Sequence, residues 1–237
     1  MSAVTIDELL RSPADIARRC REDDGLRELT LTSLAALAVG TAAFGAVLGT
    51  FRGELQVVFS SLKVPLAFLA TLALCMPAFA SIAAAFGRPW AARTMIALVL
   101  ASAARAALVL LALSPILWLA IDSGLPYHRA VLLSAAVYGL AGLAALGVLL
   151  RGLGEGPGRA LTALAFIAVF LAVGGQSAWI FRPYLGRPAQ ESIPFVRDTE
   201  STFADSIFTT ARSSVGIYDE PEGMEDEPGD VYRRSAP

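Results

Sequence analysis

Five stretches of the chain are almost continuously apolar, and short polar segments rich in Gly, Pro and Arg separate them. Each stretch has the roughly 20 residues that an α-helix needs to cross the hydrocarbon layer of a bilayer. The sequence therefore predicts an all-α fold, a polytopic bundle of five transmembrane helices, with four or six spans as the alternatives. The predicted spans cover residues 29–51, 65–86, 95–121, 131–150 and 161–181.

Polar segments at both ends divide the chain into three parts: 1–28, then 29–187 with the five spans, and 188–237. The first part is amphipathic, carries mixed charge and lacks the pattern of a cleavable signal peptide, so we expect it to be cytosolic. Ser12 and Pro13 are typical of a helix N-cap and a first helical position. The short basic helix that follows either lies on an anionic membrane surface or is a solvated link to the first span.

Two further segments predict more than simple loops. Residues 52–63, RGELQVVFSSLK, predict a short helix in the membrane plane before the second span, and the part 56–62 is either interfacial or re-entrant. In the tail, apolar residues recur at helical spacing over 198–215, which predicts an amphipathic helix that docks on the membrane or on a partner. The end from Asp219 is acidic, contains proline and predicts disorder.

Arg105 is the only charged residue inside the third stretch. A cation near the middle of a hydrocarbon layer about 30 Å thick is costly, and two arrangements limit that cost. If the span begins near Ala101, Arg105 lies about one turn inside it and its side chain reaches the headgroups. Otherwise Arg105 is a functional intramembrane arginine that binds backbone carbonyls, a lipid phosphate or polar side chains. The candidate polar side chains are Ser102, Ser134 and Gln176.

Small residues indicate where the predicted spans approach one another. Gly45 and Gly49 form a GxxxG pair, which removes side chains from one helix face and lets two backbones come close. We expect this contact inside the chain rather than in a dimer. The span over 131–150 contains Gly139 and Gly142 among other small residues, so we predict that it is the central packing helix.

The composition agrees with residence in a membrane, because 55% of the 237 residues are hydrophobic and the mean hydropathy is +0.60. The net charge is −2 and most acidic residues lie in the two terminal parts, so we predict no nucleic-acid partner. Arginine provides nearly all basic residues, which with the Ala and Leu content is typical of a high-GC bacterial genome. Two cysteines and one histidine fit neither a disulfide framework nor a metal or haem site, so we predict no cofactor.

The distribution of Lys and Arg predicts the orientation, because cytoplasmic loops carry an excess of positive charge. With five spans, and counting only the Lys and Arg residues near the spans, nine lie on the N-terminal side of the membrane and six on the other side. We therefore predict a multi-pass protein of the bacterial inner membrane with a cytoplasmic N-terminus. A sixth crossing around 56–62 would return the tail to the cytoplasm. Trp179 and Tyr184 are expected in the aromatic belt at the far interface.

Two segments resemble the Yip1 family of five-span membrane proteins, in its bacterial branch. One is LLRSPADIARR, before the first span, and the other is VLLRGLGEGPGRALTAL, between the fourth and fifth spans. The resemblance covers the whole architecture and is specific only in the second segment. It implies a helical membrane scaffold without catalysis, and the eukaryotic members are linked to Rab-type GTPases, which a bacterium lacks. The long acidic tail and Arg105 depart from the family.

These features predict a non-enzymatic scaffold or interaction protein, whose partners are the lipid bilayer and either another membrane protein or a second copy of the chain. No nucleophile with a neighbouring base and no pair of carboxylates falls in the predicted spans. The alternative is a small oligomeric transporter or channel subunit that uses Arg105 for an anionic solute. A third hypothesis, an intramembrane enzyme, rests on Ser177, which lacks the downstream glycine of a nucleophile elbow, and on His128, which is expected at a loop.

Overall fold

The computed structural model describes residues 6–87, 90–156, 158–182, 184–185 and 195, all of them in one compact unit. The predicted helix over 198–215 and the acidic end from Asp219 lie outside these residues. The described part of the chain contains seven α-helices and no strand, which confirms the all-α prediction. The helices are α1 (Ile6–Arg11), α2 (Pro13–Glu22), α3 (Leu26–Gly49), α4 (Leu55–Ala85), α5 (Ala92–Asp122), α6 (Tyr127–Gly152) and α7 (Arg159–Ile180).

Five of these helices, α3 to α7, are long and apolar enough to cross a membrane. They contain 22 to 31 residues each. At about 1.5 Å per residue, even the shortest exceeds the thickness of a hydrocarbon layer. The five predicted apolar stretches are thus confirmed as five helices, the architecture of a multi-pass membrane protein.

The prediction of a separate in-plane helix over 52–63 is wrong. α4 runs without interruption from Leu55 to Ala85, so this segment begins the second long helix. The reason is the face that α3 presents to it. A Cβ atom at Gly45 would collide with the backbone carbonyl of Ser60, and one at Gly49 would collide with the backbone of Val57. This close approach covers the polar side chains of the segment with protein.

α5 is the most buried of the five long helices, and α3 and α6 pack along it. Alanine is the commonest of its buried residues, and Ala101 and Ala104 are fully buried. On the α3 side, a Cβ atom at Gly40 would collide with the backbone carbonyl of Ala107. The prediction that the span over 131–150 is central is therefore wrong, because α6 is far less buried than α5.

The two short N-terminal helices pack against the bundle. Ser12 is the N-cap of α2 and Pro13 its first residue, as predicted. Leu9 and Ile16 are fully buried and belong to one apolar cluster with residues of α3, α5 and α6. Protein therefore covers the apolar face of α2. This arrangement differs from both alternatives predicted from the sequence, a helix on the membrane surface and a solvated link.

Candidate functional site

Arg105 lies near the middle of α5 and is partly buried. Its Nη1 is buried without a hydrogen-bond partner, and within the described residues Arg105 forms no ion pair. The predicted contacts to Ser102 and Ser134 are not formed. Each hydroxyl instead donates to the carbonyl oxygen four residues earlier in its own helix, at 2.8 and 2.7 Å. This local bond satisfies a helical serine without any partner from another helix.

The predicted hydrogen bond between Arg105 and Gln176 is also absent from the described part of the chain. Gln176 lies on α7, and α7 packs mainly on α4. The sequence identifies both residues as polar positions in spans. Whether two such positions meet depends on the arrangement of the helices, which their spacing along the chain does not contain.

A contact between neighbouring helices locates Arg105 relative to the end of α6. A Cβ atom at Gly152, the last residue of α6, would collide with the side chain of Leu98, so α6 ends level with this part of α5. Arg105 lies seven residues beyond Leu98, which is roughly 10 Å along the helix axis. Helical side chains lean toward the N-terminus, so this side chain leans toward the end where α5 begins. The arrangement in which Arg105 reaches the headgroups stays a prediction.

Lys63 of α4 is a buried cation that the sequence analysis missed. Its side chain is fully buried, and its Nζ lies 5.8 Å from the ring centroid of Phe59 and 5.1 Å from that of Phe195. Both distances lie within the range of cation–π attraction. Ser60, one turn earlier on α4, faces Gly45 of α3, so Lys63 lies further toward the middle of the bundle.

The spacing of polar residues contained a signal for this lysine. Gln56, Ser60 and Lys63 follow one another at intervals of four and three residues, which places them on one helix face. The sequence analysis assigned them to an in-plane helix, where a polar face is expected to contact water and headgroups. In the structure the same face points into protein, and all three residues are fully buried.

The chain that follows α7 covers this polar face. Gln56 Nε2 donates to the backbone carbonyl of Tyr184 at 3.0 Å, and Ser60 Oγ donates to the same oxygen. Tyr184 packs against the apolar cluster that contains Phe44 and Leu110, and burial raises the pKa of its phenol. Tyr184 therefore contacts the apolar cluster of the bundle, and its position in an aromatic belt stays a prediction.

A lateral cavity of about 490 Å³ lies between α4, α5, α6 and α7. It exists because α7 has few contacts with α6 and packs on α4, where Phe166 stacks on Phe79 with 4.4 Å between the ring centroids. Gly139 and Gly142 of α6 line this cavity, and a Cβ atom at either would meet no atom within 4 Å. The prediction that these two glycines mediate close helix packing is therefore wrong.

The remaining candidates for chemistry are separate from one another. Cys20 and Cys75 are buried free thiols, and burial raises the pKa of Cys20 to about 12. Ser177 is buried on α7, and the side chain of His128 lies outside the described atoms. Across the described residues, no three His, Cys, Asp or Glu side chains are grouped so that they could hold a metal ion.

The fold and these features define the class: an all-α bundle with the architecture of a multi-pass membrane protein, with a buried lysine, a partly buried arginine and a lateral cavity. No model of a known protein family matches the chain, and comparison with curated proteins and with solved structures gives no significant match. The argument for function therefore rests on the geometry of the bundle.

Proposed function

We propose that this protein is a non-enzymatic interaction protein of a bacterial inner membrane, a five-helix scaffold that holds a hydrocarbon chain of a bilayer lipid in the lateral cavity. The observation that carries the proposal is the cavity between α6 and α7. Its volume of about 490 Å³ lies within the range of ligand sites in proteins, about 300 to 1,000 Å³. It opens between two helices that are long enough to cross a membrane.

A hydrocarbon chain fits the chemistry of the lining. Almost all lining side chains are apolar, and several are large, including Phe68, Leu72, Phe166 and Phe170. α6 and α7 are the two least buried of the five long helices, so the cavity lies on the side that faces the surrounding bilayer. Lipid chains are the abundant apolar molecules there. Filling the cavity with hydrocarbon supplies the dispersion contacts that its lining atoms otherwise lack.

Sequence features support the membrane and the orientation in this proposal. The excess of Lys and Arg near the spans, nine against six, supports a cytoplasmic N-terminus. Arg21 of α2 donates to the backbone carbonyl of Arg151 at 2.7 Å, so the N-terminal segment and the α6–α7 connection lie at the same end of the bundle, as this orientation requires. The resemblance to the Yip1 family also supports a scaffold without catalysis, and it stays a prediction.

The substitution Gly142→Leu tests the proposed lipid site. Because Gly142 has open space around it, the new side chain enters the cavity and the fold should persist. We expect native mass spectrometry of the detergent-purified protein to show a marked loss of the lipid-bound species. Ala168→Leu is the matched control, since Ala168 is exposed on α7 outside the cavity lining. Equal lipid retention by the two variants would exclude the cavity as the site.

Arg105 supports a second candidate function, a small oligomeric transporter or channel subunit for an anionic solute. The supporting observation is its buried Nη1 without a hydrogen-bond acceptor. In that case, proteoliposomes that contain the wild-type protein should show anion flux, and Arg105→Lys should abolish it, because lysine lacks the planar fork of donors. Proteoliposomes without flux would leave the interaction protein as the function.

A further inference from the structure

The lateral cavity has a defined length and position along α6. Its lining on this helix extends from Tyr138 to Leu149, which is roughly 16 Å along the helix axis. Leu149 lies three residues before Gly152, the last residue of α6, so this part of the cavity is about 5 Å from the end of the helix. The hydrocarbon of one leaflet is about 15 Å thick, half of the whole layer. The cavity therefore has the length of one leaflet and begins close to the end of a helix that is long enough to cross a membrane.

The other three helices around the cavity share this end of the bundle. A Cβ atom at Gly152 would collide with Leu98, near the start of α5. A Cβ atom at Gly158, the N-cap of α7, would lie 3.7 Å from Phe86, the C-cap of α4. α4 and α6 therefore end where α5 and α7 begin. We call the part of the cavity next to this end, which includes Leu149, the surface end.

Aromatic side chains close the opposite end of the cavity, which we call the deep end. The rings of Phe68 and Tyr138 line the cavity there and stack with 6.4 Å between their centroids. Tyr138 also contacts the fully buried Phe44 edge to face, with 5.1 Å between the centroids. The same apolar cluster contains Leu110 and Leu117, which are fully buried and lie further along α5 than the cavity lining. Packed side chains therefore occupy the space beyond the deep end.

We propose that the cavity selects lipids by chain length: it takes one acyl chain from the leaflet at the surface end, and the rings of Phe68 and Tyr138 stop the terminal methyl group. This inference rests on the proposed function and adds the direction and the length of the chain. An extended chain covers roughly 1.2 Å per bond, so a cavity of about 16 Å accommodates roughly 13 bonds, the number in a myristoyl chain. A longer chain would have to displace the packed rings at the deep end, and such overpacking is costly.

The two ends of the cavity favour this direction over the opposite one. A chain from the opposite leaflet would have to pass the packed cluster around Phe44 and Leu110 before it reached the cavity. A chain from the leaflet at the surface end places its ester groups at the end of α6, where water and headgroups satisfy their oxygens. Only its hydrocarbon then lies against the apolar lining.

Native mass spectrometry tests the length limit on the full-length protein, purified in detergent and incubated with an equimolar mixture of four phosphatidylcholines. The lipids carry pairs of lauroyl, myristoyl, palmitoyl or stearoyl chains, so they differ only in chain length and are resolved by mass. We expect the protein to retain the dilauroyl and dimyristoyl lipids and to bind the distearoyl lipid at least about fivefold less, because its chain overpacks the deep end. Equal retention of the four lipids would overturn the proposal.

Gly139→Leu and Tyr138→Ala should shift the preference in opposite directions. Gly139 lines the cavity beside Tyr138 and has open space around it, so a leucine there shortens the cavity while the fold persists, and the dilauroyl lipid should become the preferred one. Tyr138→Ala removes a ring from the deep end, and the dipalmitoyl lipid should gain. Ala136→Leu is the matched control, since Ala136 is exposed on α6 outside the cavity lining and should keep the wild-type order. If Tyr138→Ala does not fold, Gly139→Leu decides alone.

The result for Gly139→Leu also separates this inference from the proposed function. An unchanged order of chain lengths, with lipid still bound, would refute the length limit and leave the lipid site in place. A uniform loss of all four lipids would also overturn the proposal, because it would mean that the leucine blocks the entrance and that the chain comes from the opposite leaflet. Failure of the proposed function has a different sign, equal lipid retention by Gly142→Leu and Ala168→Leu.

Discussion

A lysine inside a membrane-spanning helix keeps its charge only where other groups replace water. Around Lys63 these groups include the rings of Phe59 and Phe195, whose faces carry negative potential toward Nζ. Phe59 and Phe195 also contact each other edge to face, with 5.3 Å between their centroids. Phe195 follows α7 in the chain, so the charge on α4 and this one residue stabilise each other.

Phe195→Ala tests this contact at the level of one residue. The substitution removes a ring from the surroundings of Lys63 and an edge-to-face contact with Phe59. We expect it to lower the free energy of unfolding by about 1 to 3 kcal/mol, the sum of one aromatic pair and one cation–π contact. Denaturation in mixed detergent and SDS micelles measures this change. Phe86→Ala, at an exposed phenylalanine, should cost clearly less, and equal losses would contradict the assignment.

Cys20 gives a prediction that depends on pH. Burial raises the pKa of its thiol from the ordinary 9.0 to about 12. The thiolate is the reactive form, so alkylation by iodoacetamide at pH 8 should be roughly a thousandfold slower than for a solvated cysteine. Because the folded pKa lies above the unfolded one, the stability that this thiol contributes is fully present and independent of pH below about pH 9. That stability is lost as the pH rises from about 9 to about 12.

Peptide mass spectrometry of the alkylated protein, resolved by time, measures the reaction at Cys20 directly. The same protein unfolded in SDS provides the control, because its thiols are solvated and should react at the ordinary rate. Fast labelling of Cys20 in the folded protein at pH 8 would show that α2 leaves the bundle readily, in conflict with the buried thiol of the structure.

At the scale of elements, the effect of replacing a helical glycine depends on which atoms face it. Gly45 faces the backbone carbonyl of Ser60, and α4 cannot move away from a new Cβ atom without separating from α3. We expect Gly45→Ala to destabilise the protein by about 1 to 3 kcal/mol, the range for overpacking. The same change at Gly139 should be neutral or stabilise by up to about 1 kcal/mol, because alanine favours the helix and the space is open.

The two glycine variants form a matched pair, since both replace a helical glycine by alanine in a membrane-spanning helix. Unfolding of each in mixed detergent and SDS micelles gives the two free energies. The decisive observation is which of the two variants loses more free energy of unfolding. A larger loss for Gly139→Ala than for Gly45→Ala would mean that α6 packs closely against another helix and that α3 and α4 do not.

At the scale of the whole molecule, the prediction is the topology. Reporter fusions after Arg21, Arg88 and Arg151 should report the cytoplasm, because these positions precede the first, third and fifth long helices and the positive charge is greatest on that side. Fusions after Asp122 and Pro188 should report the far side. A cytoplasmic signal after Pro188 would mean an even number of crossings and would refute the five-span topology.

Most of the fold could be predicted from the sequence because its signals are local. The length of an apolar run predicts a span whatever it packs against, and five such runs became five long helices. Ser12 and Pro13 predict the start of α2, since proline fits the first helical position, where a backbone N–H has no partner within the helix. The all-α class and the number of long helices therefore needed no knowledge of tertiary contacts.

The candidate sites could be predicted only in part, because they depend on which helix faces meet. Lys63 is visible as a charge in the sequence, but its surroundings come from a residue distant in the chain, Phe195. A glycine permits a close approach without requiring one. The sequence by itself determined how many helices the chain forms and where the apolar runs lie. Only the tertiary structure decided that α5 is central and that a cavity opens beside Gly139 and Gly142, because burial and open space are properties of several helices together.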